Sequence, residues 1–204
     1  MKEQKIISEY RLYPTSIFEL TLPGYKTFNY KFEEFIYKEY KKQPKGLDAS
    51  NYGGWHSPTT MHNKPEYQQL MAILFNMVQE IFKKEQLEPS VSMGNMWANI
   101  NPPGAYNKSH NHANALFSGV YYVKVPNNKE ATSGYLELFE PRPGPLIIRP
   151  RQNDKDLPNV YWKKVSYNPV QGRIIVFPAW LWHEVHTNNT KESRISVSFN
   201  FIQR

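Results

Sequence analysis

His110 and His112 stand one residue apart in YNKSHNHANALFSGVYYV (106–123). On an extended segment, positions i and i+2 project to the same side. Two neutral imidazoles on one side are the start of a chelate for iron, zinc, nickel or copper. The best third ligand is His183 in FPAWLWHEVHTN (177–188), with His186 three residues on as its competitor. An isolated H-x-H is commonly a pair of exposed loop histidines. Here, however, the chain has six histidines and four fall in these two segments. Eleven residues past His183 comes Arg194, followed by Ser196. An inward arginine pairs with a carboxylate in bidentate geometry, and the serine hydroxyl adds a donor. The bland alternative is an arginine bridging to Glu192.

Positioning these groups takes strands. From residue 91 the chain breaks into short candidates at 94–101, 116–125, 134–140, 145–149, 161–167, 173–177 and 194–202, separated by Pro, Gly and Asn. Before them, Phe32, Phe35, Ile36 and Tyr40 share one face of a helix over 25–43. Leu70, Ile73, Leu74, Met77, Val78, Ile81 and Phe82 stripe a second helix over 64–85. The stretch 50–60, SNYGGWHSPTT, reads as a loop. Regular short strands after two helices predict a mainly β fold, an antiparallel sandwich or jelly roll with the helices packed on one sheet.

The last strand, RISVSFNFI, sorts its side chains cleanly. Ile195, Val197, Phe199 and Phe201 form one face and meet the helices; Arg194, Ser196, Ser198 and Asn200 form the other. Asn95, Trp97, Asn99 and Asn101 give the earlier strand a similar polar face. Two inward polar faces around one cavity need a polar ligand to satisfy them.

Length and composition bound the rest. The 204 residues fit one domain, with 1–90 a helical and loop part and 91–204 the jelly-roll core. No cysteine is present, which removes disulfides, zinc–thiolate sites and thiol nucleophiles. No run approaches the ~18 apolar residues of a membrane span, and the first residues lack a signal peptide's apolar stretch, so a cytoplasmic protein is expected. The net charge of +7 marks no arginine-rich or aromatic-interleaved groove, so nucleic acid gains no support as a partner. The lysines of YKEYKKQPK (37–45) read as a solvated helix face.

Taken together, these motifs resemble the 2-oxoglutarate- and iron(II)-dependent oxygenases, and within them a bacterial and phage subfamily with H-x-H. The resemblance rests on GWHS (54–57), WANINPPG (97–104), His110 and His112, SGVYYV (118–123), LELFEPR (136–142), FPAWLWHEV (177–185) and RISVSFN (194–200), and covers roughly residues 10 to 202. The run 99–112 also resembles the lead-in of the nucleic-acid demethylase branch. The resemblance implies a double-stranded β-helix, Fe(II) as metal, 2-oxoglutarate as cosubstrate, and O2 with a further primary substrate as partners. It implies metal roles for His110 and His183. It implies that Arg194 and Ser196 clamp the far carboxylate of 2-oxoglutarate, and it makes Asn99, Asn101 and Tyr121 candidate cosubstrate contacts. The implied activity is hydroxylation of a peptide or protein, prolyl for instance, or of a small molecule.

One position departs from the wider family. Where an Asp or Glu ligand is usual, this chain has His112. Three histidines can form the site, or Glu137 or Glu140 can supply a carboxylate from another strand, or the fold can persist without activity; the first is preferred because His112 has the right side and spacing. Trp97, Trp180 and Trp182 are candidates for an apolar wall. The rival readings are a non-catalytic metal- or carbohydrate-binding jelly roll and a cupin-type three-histidine enzyme. Cupins follow H-x-H closely with a ligand Glu, which is absent here.

Overall fold

A computed structural model describes residues 12–88, 90–127, 132–147, 158 and 161–203. Strand β1 (Phe18–Thr21) leads to helix α1 (Tyr25–Lys42), entered through Gly24 in the left-handed region at φ 68°. Two short strands follow, β2 (Asn51–Tyr52) and β3 (Trp55–His56). Single-turn helices at Met61–Asn63 and Pro65–Tyr67 run into α2 (Gln68–Lys84). The remainder is β4 (Val91–Asn101), β5 (Tyr106–His110), β6 (Phe117–Lys124), β7 (Leu136–Phe139), the one-turn α3 (Gly144–Ile147), β8 (Lys164–Tyr167), β9 (Arg173–Pro178), β10 (His183–Val185) and β11 (Arg194–Gln203).

The strands form two antiparallel sheets, a larger one ordered β1-β9-β6-β11-β4-β3 and a smaller one ordered β2-β5-β10-β7-β8. This is the jelly-roll architecture expected from the strand pattern. Alternation divides the residues of the larger sheet between two cores. Tyr121, Val123, Ile174, Val176, Ile195, Val197, Phe199 and Phe201 pack with Phe32 and Ile36 of α1 and Leu70, Leu74 and Val78 of α2. Their neighbours Tyr122, Ile175 and Phe177 turn the other way and meet Leu136, Leu138 and Leu181 between the sheets. The inter-sheet core is the smaller one, because polar side chains of β4 and β11 occupy much of that space.

Three expectations are corrected. The stretch 145–149 is not a strand: 144–147 is helical, and 148–149 lie outside the described residues. Pro145 cannot donate to a ladder, and its fixed φ suits a first helical turn. Second, 50–60 is not all loop, since it carries β2 and β3. Third, strands β1, β2 and β3 come from the part expected to be only helix and loop, and they sit at the edges of both sheets. Strands of two residues are too short to display an alternation.

Candidate metal and carboxylate site

His110 ends β5 and His183 begins β10, and the antiparallel register sets them directly opposite each other. His112 lies just beyond the strand, its backbone N–H donating to the Ala179 carbonyl at 2.9 Å. The ring centroids are 4.3 Å apart for His110 and His183, 5.0 Å for His110 and His112, and 5.1 Å for His112 and His183. One nitrogen from each ring lies within 4.8 Å of those of the other two.

Hydrogen bonds fix the tautomer of two of the rings. His110 Nδ1 is 2.7 Å from the Lys108 carbonyl and His183 Nδ1 is 2.9 Å from the Leu181 carbonyl. A carbonyl only accepts, so each Nδ1 carries the proton and each Nε2 keeps its lone pair. Burial also holds the rings neutral. It lowers the His110 pKa; together with the neighbouring histidines it takes His112 to about 4 and His183 to about 3. Neutral imidazoles with outward-anchored Nδ1 atoms are the form that binds a divalent metal.

The cavity that these rings edge is also lined by Trp97, Asn99, Tyr122, Arg194, Ser196 and Ser198. Arg194 is only 4% exposed. Its Nη1 donates to the Gly134 carbonyl at 2.9 Å and its Nη2 to Asn101 Oδ1 at 3.0 Å. Its Nε is buried and has no hydrogen-bond partner among the described residues. No carboxylate pairs with Arg194 among the described residues, and burial pulls its pKa below the usual guanidinium range. A buried guanidinium held by neutral acceptors, with a donor left over, fits an incoming anion. Ser196, 3% exposed, lines the same space two residues along β11.

The other sequence candidates divide. Asn99 lines the cavity; its Nδ2 donates to Ser198 Oγ at 3.2 Å, and its Oδ1 is buried without a partner. Asn101 is engaged in holding Arg194, and its Nδ2 donates to Asn107 Oδ1 at 3.2 Å. Tyr121 is a correction. It faces the helices, where its hydroxyl donates to Asn29 Oδ1 of α1, and Tyr122 faces the cavity instead. Of the three tryptophans, Trp97 lines the cavity, whereas Trp180 and Trp182 are each 52% exposed and form no buried wall.

Neither glutamate reaches the imidazoles. Leu136 and Leu138 point between the sheets, so Glu137 points outward. There it pairs with His186 and with Lys164 Nζ at 2.5 Å. Glu140 is bound by Arg142, whose Nε lies at 2.7 Å. Glu137, Glu184 and His186 make a second compact cluster on the outer face, already engaged by Lys164. His186 is therefore not the third ring of the inner triad. The sequence reading overlooked Tyr122, Asn107 and Phe177. Alternation along YYV would have found Tyr122 once the sheet's two faces were known; nothing in the sequence marks Asn107.

Comparison with known proteins bears on the family and the fold. Residues 95–200 match the family model described as "Putative 2OG-Fe(II) oxygenase". No curated protein matches the chain. Among solved structures, a Pseudomonas putida prolyl-4-hydroxylase is similar at 16% identity and TM-score 0.60, covering 93% of this chain and 94% of its own. The viral collagen prolyl hydroxylase of Paramecium Bursaria Chlorella virus-1, in a 2-oxoglutarate complex, aligns at 14% identity and TM-score 0.56, covering 91% and 94%. HygX from Streptomyces hygroscopicus, with nickel, 2-oxoglutarate and hygromycin B bound, aligns at 8% identity and TM-score 0.64, covering 93% and 83%. At these identities the structural likeness speaks for the fold. The family match spans more than half the chain and includes all three inner histidines and Arg194, and the chain belongs to the 2OG-Fe(II) oxygenase family.

Proposed function

We propose that the chain is a hydroxylase in which His110, His112 and His183 hold iron and Arg194 with Ser196 receives the far carboxylate of 2-oxoglutarate. The observation that carries this reading is the buried guanidinium of Arg194, with no carboxylate partner among the described residues, lining one cavity with three clustered imidazoles. When bound, the metal and cosubstrate supply coupled oxidation: 2-oxoglutarate and O2 become succinate and carbon dioxide, with one oxygen atom inserted into a substrate C–H bond.

The protein's own work is positioning. Lys108 and Leu181 carbonyls accept from Nδ1 of two rings and so leave each Nε2 as the free donor atom, and burial keeps those nitrogens unprotonated. Asn101 and Gly134 fix the Arg194 fork, so little ordering remains when the carboxylate arrives. Asn99 offers its amide beside Ser196, its partner across the strand pair. The buried aliphatic and aromatic side of the cavity, including Phe177 and Leu136, excludes water from the reacting end. Three neutral ligands leave the iron with one less negative charge than a site containing a carboxylate.

For the primary substrate, a peptidyl proline is the first choice, on the strength of the prolyl hydroxylases among the structural relatives. Anaerobic titration of the Fe(II) protein with 2-oxoglutarate tests the cofactor assignment through its weak visible charge-transfer band. Absence of that band rejects it. Succinate release across a panel of proline peptides and small molecules tests the substrate, and a response confined to small molecules rejects the peptide choice.

A further inference from the structure

His112 differs from the other two rings of the triad in what holds it. His110 and His183 each donate Nδ1–H to a carbonyl two residues back, whereas no hydrogen bond fixes the His112 ring among the described residues. It is the ring at the position where the family usually has a carboxylate. A ligand imidazole without an outer partner is free to rotate about its side-chain bonds, and outer partners normally set ligand orientation.

The His112 ring has an aromatic neighbour instead. Trp97 lies against His112 with centroids 5.6 Å apart and planes at 53°. On Trp97 rests His56 of the GWHS stretch, 5.4 Å away and nearly parallel at 10°. His56 is 5% exposed, and β3 pairs it with Asn99 of β4.

Its position is fixed from several directions. His56 Nδ1 is 2.6 Å from the Ser57 carbonyl, and its own carbonyl accepts from Leu47 N–H at 2.8 Å. Trp55 Nε1 donates to the Gln43 carbonyl at 2.8 Å, and Ser57 Oγ accepts from Ala98 N–H at 2.9 Å. Gly46, at φ 60°, lets the chain pass so close that a Cβ there would sit 2.5 Å from the His56 carbonyl oxygen. These contacts hold the His56 ring in a fixed place at the sheet edge.

We infer that His56 is a positioning residue: by stacking on Trp97 it braces the indole against His112, and the ring stack replaces the missing hydrogen bond in orienting that ligand. The inference rests on the three-histidine reading above. It accounts for the GWHS motif, which the cavity lining leaves unused, and it concerns the ring face of His56 rather than its nitrogens.

Cobalt(II) binding, followed by ligand-field absorption and calorimetry, reads the effect without turnover. His56→Ala and His56→Gln, the latter keeping an N–H donor but no ring, should each weaken cobalt by about 10-fold or more. His56→Phe keeps the ring and should stay within about 3-fold of wild type with its spectrum unchanged. In a His112→Ala background, His56→Gln should cost nothing further beyond about 2-fold. If the Ala variant does not fold, the Gln and Phe pair still decides. Wild-type affinity in the Gln variant overturns the inference, as does a Phe variant as weak as Gln, or a full loss persisting without His112. If His112→Ala alone binds cobalt like wild type, the three-histidine reading falls and takes the inference with it.

Discussion

His110 and His183 face each other across β5 and β10 in a matched arrangement, each donating its Nδ1–H to the carbonyl of the residue two before it. The match leaves both Nε2 lone pairs free, on rings whose centroids are 4.3 Å apart. His112 completes the set from the loop beyond β5; its backbone N–H donates to the Ala179 carbonyl, and no hydrogen bond holds its ring among the described residues.

Removing either strand-anchored ring should therefore abolish tight metal binding. His110→Ala and His183→Ala should each weaken Fe(II) or cobalt(II) on the order of 100-fold or more, since even loss of a supporting partner costs 10- to 100-fold. Metal titration of the apo protein checks this, with far-ultraviolet circular dichroism as the folding control.

Arg194→Ala removes the buried cation of the cavity. Loss of one member of a buried, hydrogen-bonded charge pair costs about 2–5 kcal/mol, so 2-oxoglutarate should bind ~30-fold or more weakly. Metal affinity should hold, because Arg194 lies outside the histidine cluster. Unchanged 2-oxoglutarate affinity in the anaerobic titration refutes the carboxylate role.

Glu137 should matter for stability and leave the metal alone. Burial raises its carboxyl pKa, but the hydrogen bonds and charges of Lys164 and His186 outweigh that and leave it below the ordinary 4.5. A carboxyl depressed in the folded state adds stability that is present above its unfolded value and disappears as pH falls through the folded one. Wild type should thus lose stability below about pH 4.5 in a way that Glu137→Gln does not, with the variant less stable near neutrality. Thermal melts from pH 3 to 7 test the slope, and an unchanged cobalt spectrum in the variant confirms that Glu137 is no ligand.

Tyr121→Phe separates the two faces of β6. It leaves Asn29 Oδ1 without its buried donor, at a cost of about 1–2 kcal/mol in denaturant unfolding. The affinity for 2-oxoglutarate should remain within about 2-fold of wild type, because the ring faces α1 rather than the cavity. A larger drop in affinity shows that the helix layer and the cavity are coupled.

Much of this was legible in the linear chain, for reasons of periodicity. The last strand's alternation assigned Ile195, Val197, Phe199 and Phe201 to the helices and Arg194, Ser196 and Ser198 to the cavity, and α2 showed its stripe from Leu70 to Phe82. The i, i+2 relation placed His110 and His112 together, and the motifs pointed to the family and the jelly roll. Side-chain period survives in sequence because a sheet one residue out of register would turn its apolar face to water.

What only the tertiary structure decided depends on contacts between segments far apart in the chain. Which of Tyr121 and Tyr122 looks inward depends on which face of β6 the helices cover. Glu137 and Glu140 were plausible ligands until the Leu136 and Leu138 side chains claimed the inner face of β7 and the pairing with Lys164, His186 and Arg142 engaged both carboxylates. The ring contacts from His56 to Trp97 and from Trp97 to His112 join positions 56, 97 and 112 through a two-residue strand with no periodicity to read. Local pattern carries the face of each element, whereas the partner across the gap is set by strand register and packing.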